Sequence, residues 1–475
     1  MGFTTIDYFV LFTYLVGVTL LGLWFGRKQR DARDYFLGNR NIPWPAVCMS
    51  IVATETSTLT FIGIPALAYD TNLTFMQITF GYFIARIIIS LLFIPAYYRG
   101  EMFTAYAFLE RRFGDKTRNY ASIIFLITRV LADGVRLFAT AIPLSIVTGL
   151  SYPVSIAIIS GVTLIYTFLG GIRAVVWMDV IQLIIYLGGA LAAIWAILYK
   201  IPHGWEQIAH LANDAHKFKM FDFNLNLTTT YTIFSGFIGG CFLTMASHGT
   251  DQLMVQRLLT CKTADDSKKA LIGSGFLIVG QFFLFLMIGV MLYGFYRIHP
   301  DQLNISRSDE IFPYFIVHEL PAGLSGLVIA AIFAAAMSTL SSSLNSLASS
   351  TMMDLYKPHL KKMLSKSKEL ITSRFFTLFW AIILLLVAGL AGNWGNVLEA
   401  GLKIASFTYG GLLGVFLLGL ALKNVNQMGA IVGMTVGLLT MLGVTTTAVA
   451  WPWYVMIGTV ATFLSGWIIS LFTSG

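Results

Sequence analysis

Ala53-Thr54-Glu55-Thr56-Ser57-Thr58-Leu59-Thr60-Phe61-Ile62-Gly63-Ile64-Pro65 places an acid and a cluster of hydroxyl side chains inside a long apolar run, 42–66. Proline removes an amide donor and crowds the preceding turn, while Ser and Thr compete for backbone hydrogen bonds. The run therefore reads as a broken membrane helix whose freed carbonyls face a cavity. Carbonyls and hydroxyls together suit a hard cation. A proline kink with hydroxyls bonded back to their own helix is the alternative that these residues leave open.

On either side of this run the chain repeats apolar stretches of membrane-spanning length. Of its 475 residues 57% are hydrophobic and 11% charged, where soluble domains carry about 45–50% and about 25%. The mean hydropathy is +0.76. A water-soluble globule is excluded, and an all-α polytopic membrane protein is predicted. Breaks of charge, Gly and Pro give spans at 5–26, 42–66, 73–98, 118–147, 153–170, 174–199, 229–254, 268–295, 322–350, 372–393, 395–421, 427–448 and 451–472, thirteen in all. No basic residue precedes the first span and no small-residue cleavage site follows it, so it is expected to stay as a helix.

Basic residues crowd the loops 26–40, 99–118, 257–269 and 357–374, whereas the alternate loops hold only Lys200, Lys217, Lys219, Arg297 and Arg307. The positive-inside rule then puts the N-terminus outside and the C-terminus in the cytoplasm. The net charge of +8 follows from that topology and calls for no nucleic-acid partner. The longest loops, 200–228 and 296–321, are too short for a catalytic domain. Cys48, Cys241 and Cys261 have no paired spacing and are expected to be packing residues.

Polar residues at membrane depth are costly and mark function by default. The run Ala334-Ala335-Ala336-Met337-Ser338-Thr339-Leu340-Ser341-Ser342-Ser343-Leu344-Asn345 sets Ala335, Ser338, Thr339 and Ser342 on one helical face, suited either to Na+ or to close helix packing. Asp179 lies about one turn inside its span, as an anionic cation ligand or as a partner of Arg173. Arg129, Asp133 and Arg136 share a face at i,i+4 and i,i+3 spacing, with Arg86 at comparable depth. They form a structural network, or an Arg turns to the cavity to clamp a solute carboxylate. In Thr244-Met245-Ala246-Ser247-His248, and at Gln77, further polar groups are placed to touch a solute.

Gly170-Gly171-Ile172-Arg173-Ala174-Val175-Val176-Trp177-Met178-Asp179-Val180-Ile181-Gln182 resembles one signature of the sodium/solute symporter family, and Ala334 to Tyr356 resembles the other. Asp34 to Gly38 and Asp251 to Arg257 support the likeness, which covers nearly the whole chain. It implies a LeuT-type fold in a single transporter domain, 1–475. Two inverted five-helix repeats, 42–199 and 229–421, would surround a midplane site, with one extra helix before them, 5–26, and two after, 427–472. It also implies a Na+ between the second and ninth spans, held by the carbonyls of Ala53, Thr56 and Ala335 and the hydroxyls of Ser338 and Thr339. A second Na+, seen in some members, would take Asp179, Ser338, Ser341 and Ser342. For the solute, Ser57, Thr60 and Gln77 are similar to the sialic acid branch, with Thr58, Arg136, Thr244, Ser247 and His248 as further candidates. The arginine that holds the carboxylate in that branch is matched here by Ala132, with Arg136 one turn further on.

The expectation is a multi-pass plasma (inner) membrane protein that imports a small polar solute with one or two Na+ by alternating access. The solute is expected to bear a carboxylate, as in a sialic acid or another organic anion. Sugar, amino-acid and proton-coupled carriers are the alternatives, and a membrane sensor is a further one. No span shows the convergent His or carboxylate spacing of an embedded enzyme, and no obligate protein partner is evident.

Overall fold

The computed structural model describes residues 3–25, 29–100, 102–360, 364–391 and 397–473. Arg27, Lys28, Lys361 and Lys362, counted above toward the topology, lie outside the described residues. The regular elements among those described are all helical. The first half contains α1 (Thr5–Phe25), α2 (Ala32–Leu37), α3 (Trp44–Glu55), α4 (Thr58–Asp70), α5 (Met76–Tyr97), α6 (Tyr106–Phe113), α7 (Asp115–Thr148), α8 (Tyr152–Lys200) and α9 (Trp205–Asp214). The second contains α10 (Gly240–Gly249), α11 (Gln252–Leu258), α12 (Ala264–Ile298), α13 (Ile311–Glu319), α14 (Leu324–Ser350), α15 (Lys366–Leu390), α16 (Val397–Ala421), α17 (Gln427–Val444) and α18 (Tyr454–Thr473).

The broken helix is present. α3 and α4 meet at 60° across Thr56 and Ser57, both extended. Among the described residues nine helices are long and apolar enough to span a membrane, and the α3–α4 pair makes a tenth. Three differences separate that number from thirteen. α7 carries Arg129, Asp133 and Arg136 and so fails a test of apolarity. Residues 153–199, read as two spans, are two helices that meet at Gly171 (φ 56°, ψ −160°) without an intervening loop and so count once, as α8. A Cβ there would sit 2.5 Å from Tyr35 O, so glycine serves both the backbone angle and the close contact. The run 229–254 is divided into a π turn (Ser235–Gly239), α10 and α11, none of spanning length.

α14 is the centre of the molecule, 89% buried over its apolar window, against 22% for α1 and α15. The outer helices turn Phe9, Phe12, Phe375 and Leu390 outward, as lipid contact requires. α5 packs on α10 backbone to backbone: a Cβ on Gly240 would meet Ile78 O at 2.6 Å. Lys217 caps the far end of α4, its Nζ 2.5 Å from Tyr69 O and 2.9 Å from Thr71 O, where the helix dipole favours a cation. Burial lowers its pKa from the ordinary lysine value.

Candidate functional site

The break between α3 and α4 interrupts the i+4 ladder. Thr56 N is the last amide to donate into α3, to Val52 O at 3.0 Å, and α4 starts from Ser57 O, which accepts Thr60 N at 2.9 Å. α14 lies against this point. Thr339 Oγ1 is 3.4 Å from Thr54 O and 3.3 Å from Ala335 O, so a hydroxyl and two carbonyls meet between the helices. Ala53, Thr56, Ala335, Ser338 and Thr339 are all buried. This is neutral oxygen chemistry of the kind that fits Na+. Thr56 turns its own hydroxyl to Val52 O (2.8 Å) and accepts from Gln281, which leaves its carbonyl as its contribution to an ion.

Ser338 turns the other way and donates to Asp179 Oδ1 at 2.6 Å. Asp179 Oδ2 takes Ser50 Oγ (2.5 Å), Thr54 Oγ1 (3.3 Å) and Arg257 Nη2 (3.0 Å). Arg257 also donates to Ser342 Oγ and, through Nε, to Ser50 Oγ at 2.9 Å. The partner of Asp179 is therefore Arg257, whereas Arg173 lies 3.9 Å from Asp34. Arg257, read from the sequence as a loop charge, is fully buried. Ser341 and Ser342 both donate to Ser338 O (3.0 and 2.6 Å), so of the three hydroxyls expected with Asp179 around a second Na+ only that of Ser338 bonds the carboxylate directly.

Beside the break lies a cavity of about 860 Å³ of atom-free space, its open mouth included. Ser57, Thr60, Arg136, Thr244, Ser247 and His248 line it, together with Glu55 and the rings of Phe75, Tyr82, Phe282 and Tyr409. A few polar groups in an aromatic wall are what a small-solute site looks like. Two of the expected contacts lie elsewhere. Gln77 is buried off the cavity, where Nε2 donates to Thr74 O (3.0 Å) and Tyr231 O (3.3 Å) and Oε1 accepts Asp222 N (3.0 Å). Its amide is fully used as a brace for irregular backbone. Thr58 shares a hydrogen bond with Thr140 Oγ1 at 2.9 Å and lines only smaller pockets between α4 and α7.

The two readings of the α7 charges divide between two arginines. Arg129 is the structural one, held by Asp251, by Tyr409 OH at 2.9 Å and by Asp133 at 3.3 Å. Arg136 gives Nη1 to Asp133 at 2.8 Å and keeps a quarter of its side chain exposed, while its Nε is buried without a partner, as is that of Arg129. Its Nη2 donates no hydrogen bond among the described residues and is the group left to meet a carboxylate. The sequence reading passed over Glu55, which pairs with Arg86 at the cavity wall. The signal was present, since both charges sit at membrane depth.

A cavity at a helix break, beside a cluster of neutral oxygens in a membrane bundle, defines a secondary active solute carrier. The chain belongs to the sodium:solute symporter family, whose family model matches residues 35–437. Among its relatives, the sodium/sialic acid symporter NanT of Aliivibrio fischeri is 30% identical over 98% of this chain and 93% of its own. SiaT of Proteus mirabilis, also a sodium/sialic acid symporter, is 32% identical over 93% of this chain and 89% of its own. The solved structure of a Na+-coupled sialic acid symporter, substrate-bound and outward-open, superposes with a TM-score of 0.92 at 31% identity, covering 99% of this chain and 98% of that one. The protein is thus a multi-pass Na+-coupled symporter of a small solute, and not an enzyme.

Proposed function

We propose that the protein imports a carboxylate-bearing solute across the plasma membrane, with Na+ bound where α3, α4 and α14 meet. The observation that carries the reading is Arg136, a cavity arginine that commits one nitrogen to Asp133 and keeps a quarter of its side chain exposed. The sialic acids carried by its relatives are themselves carboxylates. Ser57, Thr60 and Thr244 add hydroxyls at the same wall.

The finer architecture follows from the same reading. Residues 42–199 and 229–421 form the inverted repeats, thirteen helices cross the bilayer, and the N-terminus lies outside. Na+, held by the carbonyls of Ala53, Thr56 and Ala335 with the hydroxyl of Thr339, orders the broken helix and raises solute affinity, while Ser338, expected as a further ligand, is committed to Asp179. Its loss to the cytoplasm releases the solute. In this account Asp179 is satisfied by Arg257, and coupling rests on the first Na+ site.

Thermal stabilisation of the purified protein by sialic acids, monocarboxylates, sugars and amino acids, in Na+ and in matched K+, tests this. Stabilisation by carboxylates in Na+ alone is expected. Thr339→Ala should weaken the Na+ response about tenfold and solute affinity with it. A normal Na+ response in that variant sinks the ion-site assignment.

A further inference from the structure

Glu55 ends α3 at the break, and its two carboxylate oxygens have different surroundings. Oε2 is held by the Arg86 guanidinium and lies 3.3 Å from His248 Nε2. Arg86 is fully buried and fixed in turn by Tyr82 O at 3.1 Å and Ser274 Oγ at 3.2 Å. His248 Nδ1 is 2.8 Å from Ser247 Oγ. His248 Nε2 also lies 3.3 Å from Arg86 Nη2, so both of its ring nitrogens are occupied, by Ser247 and by the Glu55–Arg86 pair. Oε1, by contrast, takes no hydrogen bond among the described residues, and Glu55 is a cavity-lining residue with 12% of its side chain exposed.

The cavity therefore presents a fixed anionic acceptor as well as the part-exposed guanidinium of Arg136. A hydrocarbon laid over Oε1 would strip its water and return nothing, whereas a donor group would replace that water. A second carboxylate there would be repelled. We propose that Glu55 is a solute contact that selects, among carboxylates, those carrying a hydroxyl or ammonium donor away from the carboxylate, and rejects simple monocarboxylates and dicarboxylates. This rests on the carboxylate reading above, and it adds a requirement that reading does not make.

The test uses the full-length purified protein in Na+, with affinities from thermal-shift titrations of matched solutes. One set is hexanoate, gluconate, 6-aminohexanoate, adipate and sorbitol; a second is propionate, 3-hydroxypropionate, 3-aminopropionate, malonate and glycerol; a third compares nonanoate with N-acetylneuraminate. In at least one size class the hydroxy or amino acid should bind about tenfold or more tightly than both the parent acid and the diacid, where there is one. Which arm wins identifies the donor as hydroxyl or ammonium. A parent acid that binds as tightly as its substituted partners in every set overturns the role of Glu55 and leaves the carboxylate reading standing. Sorbitol or glycerol matching the acids overturns the carboxylate reading instead. No stabilisation by any acid overturns both. Glu55→Ala strands the buried Arg86 and is prone to misfold, so the variant of choice is Glu55→Met with Arg86→Met, which removes both charges and the acceptor together. The donor preference should collapse in that protein, and its survival overturns the proposal.

Discussion

Asp179 accepts hydrogen bonds from Ser338, Ser50, Thr54 and Arg257 in a fully buried setting, and Arg257 has no exposed surface either. Charges this deep depend on each other. Removing one leaves the other desolvated and unpaired, which costs about 3–5 kcal/mol. Asp179→Ala and Arg257→Ala should each lower the thermal unfolding midpoint in detergent, while Asp179→Asn combined with Arg257→Met should recover most of the loss. Equal loss in the double variant would mean that the pair does not act as a unit. The sequence marked Asp179 as important but offered Arg173 as its partner, because Arg173 is near in the chain and Arg257 is 78 positions away. Long-range pairing is set by helix packing, which periodicity does not encode. The hydroxyls of α14 were legible for a different reason, since their spacing fixes a face whatever packs against it.

α11 is only seven residues long, yet it binds most of the bundle around it. Asp251, its N-cap, holds Arg129 of α7 and Tyr409 of α16. Gln252 accepts Ala105 N (2.8 Å), Gln256 donates to Phe36 O (2.8 Å) and Asn345 Oδ1 (2.7 Å), and Arg257 reaches α8 and α3. Such a helix opens as a unit once one strong tie is lost. Cys261 is fully buried just beyond α11 and serves as a native reporter of that opening. Asp251→Asn should raise the rate of maleimide labelling at Cys261 about tenfold, with Cys241 in α10 unchanged; mass spectrometry separates the two. Parallel rises at both cysteines would indicate general loosening instead. Hydropathy merged this helix with α10 into one span, 229–254, because no composition signal marks a break at Thr250 and Asp251. The α3–α4 break was visible because Ser, Thr and Pro cluster there. The break between the spans 153–170 and 174–199 was visible for the same kind of reason, since Gly170-Gly171 offers the positive φ at which the two helices of α8 meet.

At the scale of the molecule the open quantity is orientation, because an isolated bundle has the same contacts either way up. The argument for an external N-terminus is electrostatic: basic residues concentrate in the loops 26–40, 99–118, 257–269 and 357–374, and cytoplasmic loops retain such charge. Arg257, buried against Asp179, drops out of that count, and the asymmetry survives without it. The native cysteines Cys48, Cys241 and Cys261 are buried, so engineered cysteines report against a low background. Phe223, 71% exposed in the segment between α9 and α10, belongs to the proposed outer face. Lys366, its side chain 82% exposed at the start of α15, belongs to the inner one. In intact cells a membrane-impermeant maleimide should label Phe223→Cys at once and Lys366→Cys only after permeabilisation. The reverse pattern would invert the topology and place the Lys217 cap on the cytoplasmic side.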